Sequence, residues 1–249
     1  MAQPAAQALD LFIQRLTERS VLGQEELDAI RALPSRATTY SPDQDIVRLG
    51  QTVSHACLVG EGIAARFAEA ALGERQIVEL HIPGDMADLH SVVSPQVVSP
   101  LQAVSRTVIH KIPHWALRKI ATRYPAIAFS FWRDAVIDAA IIGEMVLNLG
   151  TRRAPARIAH VICELAIRNH LGKKPSFEFP LPVSQPQLGK IVGLHPVHVN
   201  RTLKKLRADN LLALDGKTAQ VLNWSGLVDL AQFTSKYLQY KRVDFDTSP

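Results

Sequence analysis

The chain has 249 residues, of which 47% are hydrophobic and 20% charged, the ordinary balance of a folded globular protein with room for two domains. Its formal net charge of +5 arises in the last third, because residues 1–172 hold 17 basic and 17 acidic side chains whereas residues 173–249 hold 11 and 6. Charged residues interrupt the longest apolar stretches and the first eight residues do not resemble a signal peptide, so the sequence excludes a membrane-spanning protein and predicts a cytoplasmic one.

The first 120 residues predict a helical segment followed by a β domain. Residues 8–32 favour helix, and strand-like runs follow at residues 55–59, 63–68, 76–82 and 101–112. In the third run, Val78, Leu80 and Ile82 alternate with Glu79 and His81, which is the period of a strand. Short runs of this kind, separated by glycine turns, predict a compact β-barrel or β-roll.

A long helix is predicted at residues 126–149, where one face repeats at steps of three and four residues. That face consists of Phe129, Trp132, Val136, Ala139 or Ala140, Gly143 and Val146. A core helix of one domain would show the same pattern. The small residues in the middle of the face would let two backbones approach, and we therefore predict a dimer seam. Gly150 is expected to interrupt the helix and to form a hinge, after which residues 154–171 resume it.

The most informative segment is residues 181–206, which predicts two short helices joined by a glycine turn. Ser184 is a candidate cap of the first helix, Gly193 supplies the positive φ that ends it, and His195 is the candidate cap of the second. The predicted buried residues are Leu188, Ile191, Val192, Leu194, Val199, Leu203 and Leu206. The predicted outward face consists of Val197, Asn200, Arg201 and Lys204. Five Lys or Arg and no acidic residue lie between Ser184 and Arg207, which favours DNA binding over a two-helix packing unit with a solvated face.

A small hairpin is predicted next to the second helix. Residues 211–214 and 218–223 are β-prone, and Asp215-Gly216 between them favours a type I′ turn. This arrangement predicts a wing whose tip residue, Lys217, contacts a DNA phosphate. Ser225 is expected to cap a last helix that ends at residue 231.

The order of β-roll, long helix and helix-turn-helix, with LPVSQPQLGKIVGLHPVHVNRTLKKLRADNLL as its most specific block, resembles the Crp/Fnr superfamily of transcription regulators. The resemblance implies an α+β fold with an N-terminal double-stranded β-roll like a cyclic-nucleotide-binding domain in residues 1–124. A dimerisation helix and hinge in residues 125–150 and a winged helix-turn-helix domain in residues 151–249 complete it. It also implies a homodimer on a two-fold symmetric DNA operator, with RNA polymerase as a further partner.

The same resemblance assigns DNA contacts to individual residues. It places Val197, Asn200 and Arg201 at the base-reading positions and Ser184, Gln185, His195 and His198 on the phosphate side. Well-known members carry a glutamate where this chain has Val197. We therefore expect a thymine methyl contact in place of a carboxylate-to-cytosine contact.

The effector is not identified by the sequence. Candidate pocket residues are Gly84, Asp85, Asp88 and His90, although carboxylates at the start of a short helix more often cap it. Members that bind cyclic nucleotide have Arg-Ser or Arg-Ala where this chain has Pro95-Gln96, and no Lys or Arg occurs from Gln76 to Ser105. Cyclic AMP is therefore not expected to bind, because a buried phosphate needs a cation.

No cofactor is predicted, while a haem or a small ligand stays open. His110, His114 and His160 are isolated, and His195 and His198 lack the further ligands that zinc needs, so no metal site is predicted. The two cysteines, Cys57 and Cys163, lie far apart and provide neither a disulfide framework nor a cluster site.

Two alternatives from other classes remain at this stage. One is a ligand-binding signalling module whose C-terminal domain contacts protein instead of DNA, against which the cation excess argues. The other is a small-molecule enzyme of cupin-like fold, which would need His and carboxylate ligands on neighbouring strands. The chain lacks a nucleophile–base spacing, a glycine-rich phosphate loop and a paired-carboxylate motif, and we predict that it is not an enzyme.

Overall fold

The computed structural model describes residues 5–69, 75–170 and 177–240. These residues form two compact units, one within residues 5–69 and 79–139 and the other within residues 75–78, 140–170 and 177–240. Among the described residues, no helix combines the length and the apolar character needed to cross a lipid bilayer. The predicted domain limits at residues 124 and 150 stay a prediction. They treat the long helix as a separate segment, whereas the two units divide the chain within that helix.

The described residues form helices and strands in the following order. The α-helices are α1 (Ala5–Thr17), α2 (Gln24–Arg31), α3 (His114–Arg123), α4 (Pro125–Thr151), α5 (Ala154–Asn169), α6 (Gln185–Val192), α7 (Pro196–Ala208) and α8 (Trp224–Ala231). The strands are β1 (Arg36–Tyr40), β2 (Asp45–Val47), β3 (His55–Glu61), β4 (Ala64–Glu69), β5 (Arg75–His81), β6 (Leu101–Ala103), β7 (Thr107–Pro113), β8 (Glu178–Pro180), β9 (Leu212–Asp215) and β10 (Thr218–Val221). Short 3₁₀ turns lie at Leu89–Val92 and Lys236–Leu238.

Two sheets build the N-terminal unit, which confirms the predicted α+β class and β-roll. Their strand orders are β1-β7-β3 and β2-β6-β4-β5. Cys57 and Ile109 of the first sheet share one hydrophobic cluster with Leu101 of the second. The alternate residues of the first sheet, among them Leu58 and Ile112, pack with α1 and the start of α4 in another cluster. The strand period therefore gives the first sheet one face toward the roll and one toward the helices.

Two predictions for this unit are wrong in detail, and one strand face has a burial that the sequence analysis did not address. Residues 8–32 form two helices, α1 and α2, since Gly23 before α2 is extended with ψ 173°. Residues 101–112 form two strands in different sheets, because the chain turns between Ala103 and Thr107. In β5, Glu79 and His81 are each 1% exposed, so the polar face is buried as well as the apolar one.

The helix α4 is longer than predicted and does not break at Gly150. It continues to Thr151, and α5 begins at Ala154 with Arg153 as its N-cap. A Cβ built at Gly150 meets nothing within 4 Å, so this glycine imposes no turn. The break is better explained by Pro155, because a proline inside a continuous helix would clash with the carbonyl of Thr151, four residues earlier.

In the C-terminal unit, α5 lies against α6, α7 and α8, and a three-stranded sheet of order β8-β10-β9 forms the wing. The strand β8 was not predicted. The cap of α8 is Asn223, whose side chain accepts from the backbone N–H of Gly226, so the prediction of Ser225 is wrong. Ser225 instead donates to Asn223 Oδ1 at 3.0 Å and supports that cap.

Candidate DNA-binding interface

The two helices of the predicted motif, α6 and α7, have the predicted caps. Ser184 Oγ accepts from the N–H of Gln187, and Gln187 Oε1 accepts from the N–H of Ser184 at 2.8 Å, which makes a capping box. Gly193 ends α6 with φ 62°, the left-handed conformation that glycine adopts without strain. His195 Nδ1 accepts from the N–H of Val197 at the start of α7. These local signals confirm the helix-turn-helix prediction.

The turn between the two helices depends on two residues that the sequence analysis missed. A Cβ on Gly189 would meet Leu194 O at 2.5 Å, so only glycine allows the chain to fold back this closely. Arg157 of α5 donates through Nε to Arg152 O at 2.8 Å and through Nη1 to Val192 O at 3.3 Å. Its guanidinium thus stabilises both the break after α4 and the carbonyl end of α6. A contact over 35 residues leaves no local sequence signal.

The buried side of α7 differs slightly from the predicted stripe. Val199 and Leu206 are buried as expected, but Leu203 is half-buried and Thr202 is 7% exposed. Leu194 is half-buried instead of entering the core completely. The stripe therefore lies slightly to one side of the predicted one, and the opposite side of the helix stays in solvent.

The outward side of α7 carries the predicted candidates. Val197 is 68% exposed and Asn200 is half-buried. The exposed polar candidates of this motif are Ser184, Gln185, His195, His198, Arg201 and Lys204. No acidic residue lies between Ser184 and Arg207 to neutralise this surface. The side is therefore open, cationic and held in place by two capped helices.

Two hydrogen bonds connect candidates that were predicted as separate contacts. Asn200 Nδ2 donates to Gln185 Oε1 at 3.0 Å, which joins the first residue of α6 to the middle of α7. Arg201 Nη2 lies 2.9 Å from His198 Nδ1, three residues earlier on the same helix. The side chains on this surface are therefore partly ordered before any partner binds.

The wing presents Lys217 at its tip, where the side chain is exposed. Asp215 pairs with Thr218, so Gly216 and Lys217 are the two central residues of the turn. Gly216 has φ 59° and Lys217 does not have a positive φ, which fits a type II′ turn and not the predicted type I′. Lys217 O accepts from Leu181 N at 2.7 Å, which ties the wing to the segment before α6.

A second exposed surface runs along α4. The predicted seam residues Phe129, Trp132, Val136 and Val146 are 64%, 68%, 47% and 64% exposed. Ala139 and Gly143 lie between them and are also exposed. The spacing over the seam is 3, 4, 3, 4 and 3 residues, which is the a/d repeat of a coiled coil. An uncharged stripe with this repeat is not explained by packing within one protomer.

The candidate effector residues of the N-terminal unit have internal partners. Asp85 accepts from the N–H of Ile82 and pairs with Arg15, Nε to Oδ1 at 3.1 Å. Asp88 is 3% exposed and accepts from the backbone N–H of Cys57. Gly84 has φ 91° and packs against α1. These three residues stabilise the turn and its contact with α1, but Asp88 makes no side-chain cap hydrogen bond to the 3₁₀ turn Leu89–Val92, so the capping alternative is not confirmed.

His90 is placed differently from the other three. It lines an apolar cavity of about 310 Å³ together with Leu89, Phe131 and Trp132, whereas Gly84, Asp85 and Asp88 do not. Partial burial lowers the pKa of His90, and the nearby Arg66 lowers it further. Among the described residues, no group of three or more His, Cys, Asp or Glu side chains is arranged to hold a metal ion.

Arg66 is a buried cation of the N-terminal unit and is 5% exposed. Its Nη1 donates to Ser99 O at 2.8 Å, its Nη2 donates to Ala87 O, and its Nε lies 3.4 Å from Glu79 Oε2. Glu79 in turn lies 3.2 Å from His81 Nε2. The guanidinium is thus occupied by protein acceptors.

Comparison with known proteins agrees with this geometry. Residues 156–230 match the sequence family described as a Crp-like helix-turn-helix domain. The chain is 25% identical over 230 residues to the transcriptional activator protein FnrA of Stutzerimonas stutzeri, covering 92% of this chain and 94% of that protein. It is 24% identical to the fumarate and nitrate reduction regulatory protein of Vibrio cholerae, covering 89% of each. The solved structure of FixK2 from Bradyrhizobium japonicum superposes with a TM-score of 0.70 at 24% identity, over 80% of this chain and 98% of that one.

Residues 156–230 are a Crp-like helix-turn-helix domain, and the relatives support a Crp/Fnr superfamily regulator. These similarities support a DNA-binding transcription regulator and not an enzyme, which argues against the cupin-like alternative. The matched family region begins in α5 and ends in α8, and it therefore contains every candidate DNA contact named above.

Proposed function

We propose that this protein binds a two-fold symmetric DNA operator as a homodimer and recognises its sequence with α7. The observation that carries the proposal is the exposed cationic side of α7, held by two capped helices and free of acidic residues. A recognition helix of this kind enters the major groove, where base pairs present distinct hydrogen-bonding patterns. The relatives are bacterial, and a bacterial chromosome lies in the cytoplasm, so we place the protein there.

The residues of the surface divide into two roles. Val197, Asn200 and Arg201 are the base-reading residues, as the resemblance to the Crp/Fnr superfamily implies. The residues that contact phosphate are Ser184, Gln185, His195, His198, Lys204 and, on the wing, Lys217. An arginine reads guanine with two N–H donors, and a valine methyl packs against the thymine methyl. Lysine acts on phosphate as a point charge and adds no sequence preference.

The exposed stripe of α4 supports the homodimer. Two copies of an a/d stripe bury each other's apolar residues in a parallel seam, and Ala139 and Gly143 allow a close approach of the backbones. A two-fold dimer presents two α7 helices about 34 Å apart, one turn of DNA. RNA polymerase is the further partner that the resemblance to the superfamily suggests.

Cyclic nucleotide is not the proposed effector. A buried cyclic phosphate would need a cation, and Arg66 already donates to two backbone carbonyls beside Glu79. Arg133 donates to Arg19 O and Ser20 Oγ. Binding to the operator would then be controlled by an uncharged small ligand, by a cofactor or by the abundance of the protein itself.

In vitro selection of bound duplexes from a random pool tests the proposal. The wild-type protein should enrich a site with two inverted half-sites. The Val197→Glu variant should change the preferred base pair at one position of each half-site, because a carboxylate accepts from cytosine N4. Failure to enrich any sequence, with the protein folded and dimeric, would favour the alternative of a C-terminal domain that contacts protein.

A further inference from the structure

The contact between His198 and Arg201 has a defined direction. Arg201 Nη2 and His198 Nδ1 are 2.9 Å apart, and both side chains are exposed on the outward side of α7. A guanidinium has five N–H donors and no acceptor, so it must donate here. His198 Nδ1 therefore accepts, and the proton of the neutral ring is on Nε2.

We propose that His198 is a positioning residue, which holds the Arg201 guanidinium in the orientation that reads a base. The proposal rests on the proposed function, in which Arg201 contacts a base edge. One donor of Arg201 goes to His198, and four remain for the two bonds that guanine O6 and N7 accept. The bond to His198 is thus compatible with bidentate reading.

The benefit of this bond comes from the flexibility of arginine. A long side chain loses rotamer freedom when it is fixed in an interface, and a bond that exists before binding removes part of that loss. The three-residue spacing places His198 one turn before Arg201, where a helical side chain leans toward the N-terminus of its helix. Asn200 has an equivalent support in Gln185, at 3.0 Å.

This role differs from a simple phosphate contact in a measurable way. A phosphate contact strengthens binding to every sequence and adds to the salt dependence. A positioning residue changes the preference at the base that Arg201 reads, and its effect disappears when Arg201 is absent.

Two substitutions separate these roles. His198→Leu removes the acceptor, whereas His198→Asn keeps an oxygen acceptor attached to Cγ, as Nδ1 is. Position 198 is exposed, so both variants should keep the fold, which thermal melting followed by circular dichroism checks. Affinities are measured for the duplex recovered by selection and for a duplex changed at the guanine whose preference Arg201→Ala relaxes.

Arg201→Ala should reduce the preference for that guanine by about five- to 150-fold. His198→Leu should reduce the same preference by about two- to ten-fold, the worth of one exposed hydrogen bond, and His198→Asn should restore most of it. In the Arg201→Ala background, His198→Leu should change the preference no further.

The proposal is overturned if His198→Leu weakens both duplexes equally, lowers the salt slope and leaves the preference intact. It is also overturned if the effect of His198→Leu persists in the Arg201→Ala background. If Arg201→Ala itself leaves every base preference unchanged, the base-reading role in the proposed function is wrong and the positioning role falls with it.

Discussion

Replacing Val136 by aspartate is expected to separate the dimer. Val136 lies at the centre of the exposed α4 stripe and is 47% exposed in the protomer, so the substitution leaves the isolated fold intact. In the dimer, two aspartates would lie in an apolar seam. The nearest cation on the helix is Arg133, which already donates to Arg19 O and Ser20 Oγ. With a desolvation cost of about 3 kcal/mol for each carboxylate, the dimer weakens by about 6 kcal/mol, or about 10⁴-fold.

Sedimentation equilibrium over a range of concentrations measures this change directly. A matched control is Val98→Asp, which makes the same substitution in the same unit at a valine that is 75% exposed and lies outside the α4 stripe. The control should remain dimeric and bind the selected operator, whereas Val136→Asp should be monomeric and lose operator affinity. A Val136→Asp protein that dimerises like the control would show that α4 is not the interface.

Three further predictions follow from the same structure. Lys204→Ala should weaken binding to all DNA sequences similarly and lower the salt slope by about one unit. Arg201→Ala should instead cost about 1–3 kcal/mol of binding free energy at one position of each half-site. Binding titrations at several salt concentrations that show an equal loss of discrimination for both variants would contradict these roles. Millimolar cyclic AMP should leave operator affinity unchanged because Arg66 is occupied, and micromolar binding by calorimetry with tighter operator binding would refute this. Burial, with a further contribution from Arg152, lowers the pKa of His160 to about 4. As pH falls, the unfolded chain therefore takes up a proton on this histidine before the folded chain does. The stability that is present above about pH 6.5 is lost as pH falls toward 4. His160→Phe, which keeps a ring against Phe233, should flatten the dependence of unfolding free energy on pH by up to about 1.4 kcal/mol per pH unit, and an unchanged slope in urea titrations would exclude His160 as its source.

The parts of the fold that the sequence predicted correctly depend on local signals. Ser184, Gly193 and His195 determine caps and a turn within a few residues of themselves, and the apolar period places Leu188 and Val199 on the buried side. The exposed α4 stripe was also predictable, because a repeat of three and four residues is a property of one helix. The same rules misplaced the cap of α8, where Asn223 and Ser225 are both good caps and only the geometry decides.

The parts that were not predicted depend on contacts between distant residues. Glu79 and His81 look like a solvent-exposed strand face until Arg66, on another strand, is placed beside them. Short strands such as β1 and β8 form by pairing with a partner strand, and their own sequences have little hydrophobic alternation. Arg157 stabilises the turn between α6 and α7 from 35 residues away, and no local spacing identifies it.

Hydroxyl-radical footprinting of the wild-type protein on the selected operator tests the central claim most directly. A homodimer that reads DNA with two α7 helices should protect two regions related by a two-fold axis, about 34 Å apart and on one side of the duplex. The Val136→Asp protein should lose this double protection at the same concentration. A single protected region with no symmetry, or equal protection along a random duplex, would contradict the account.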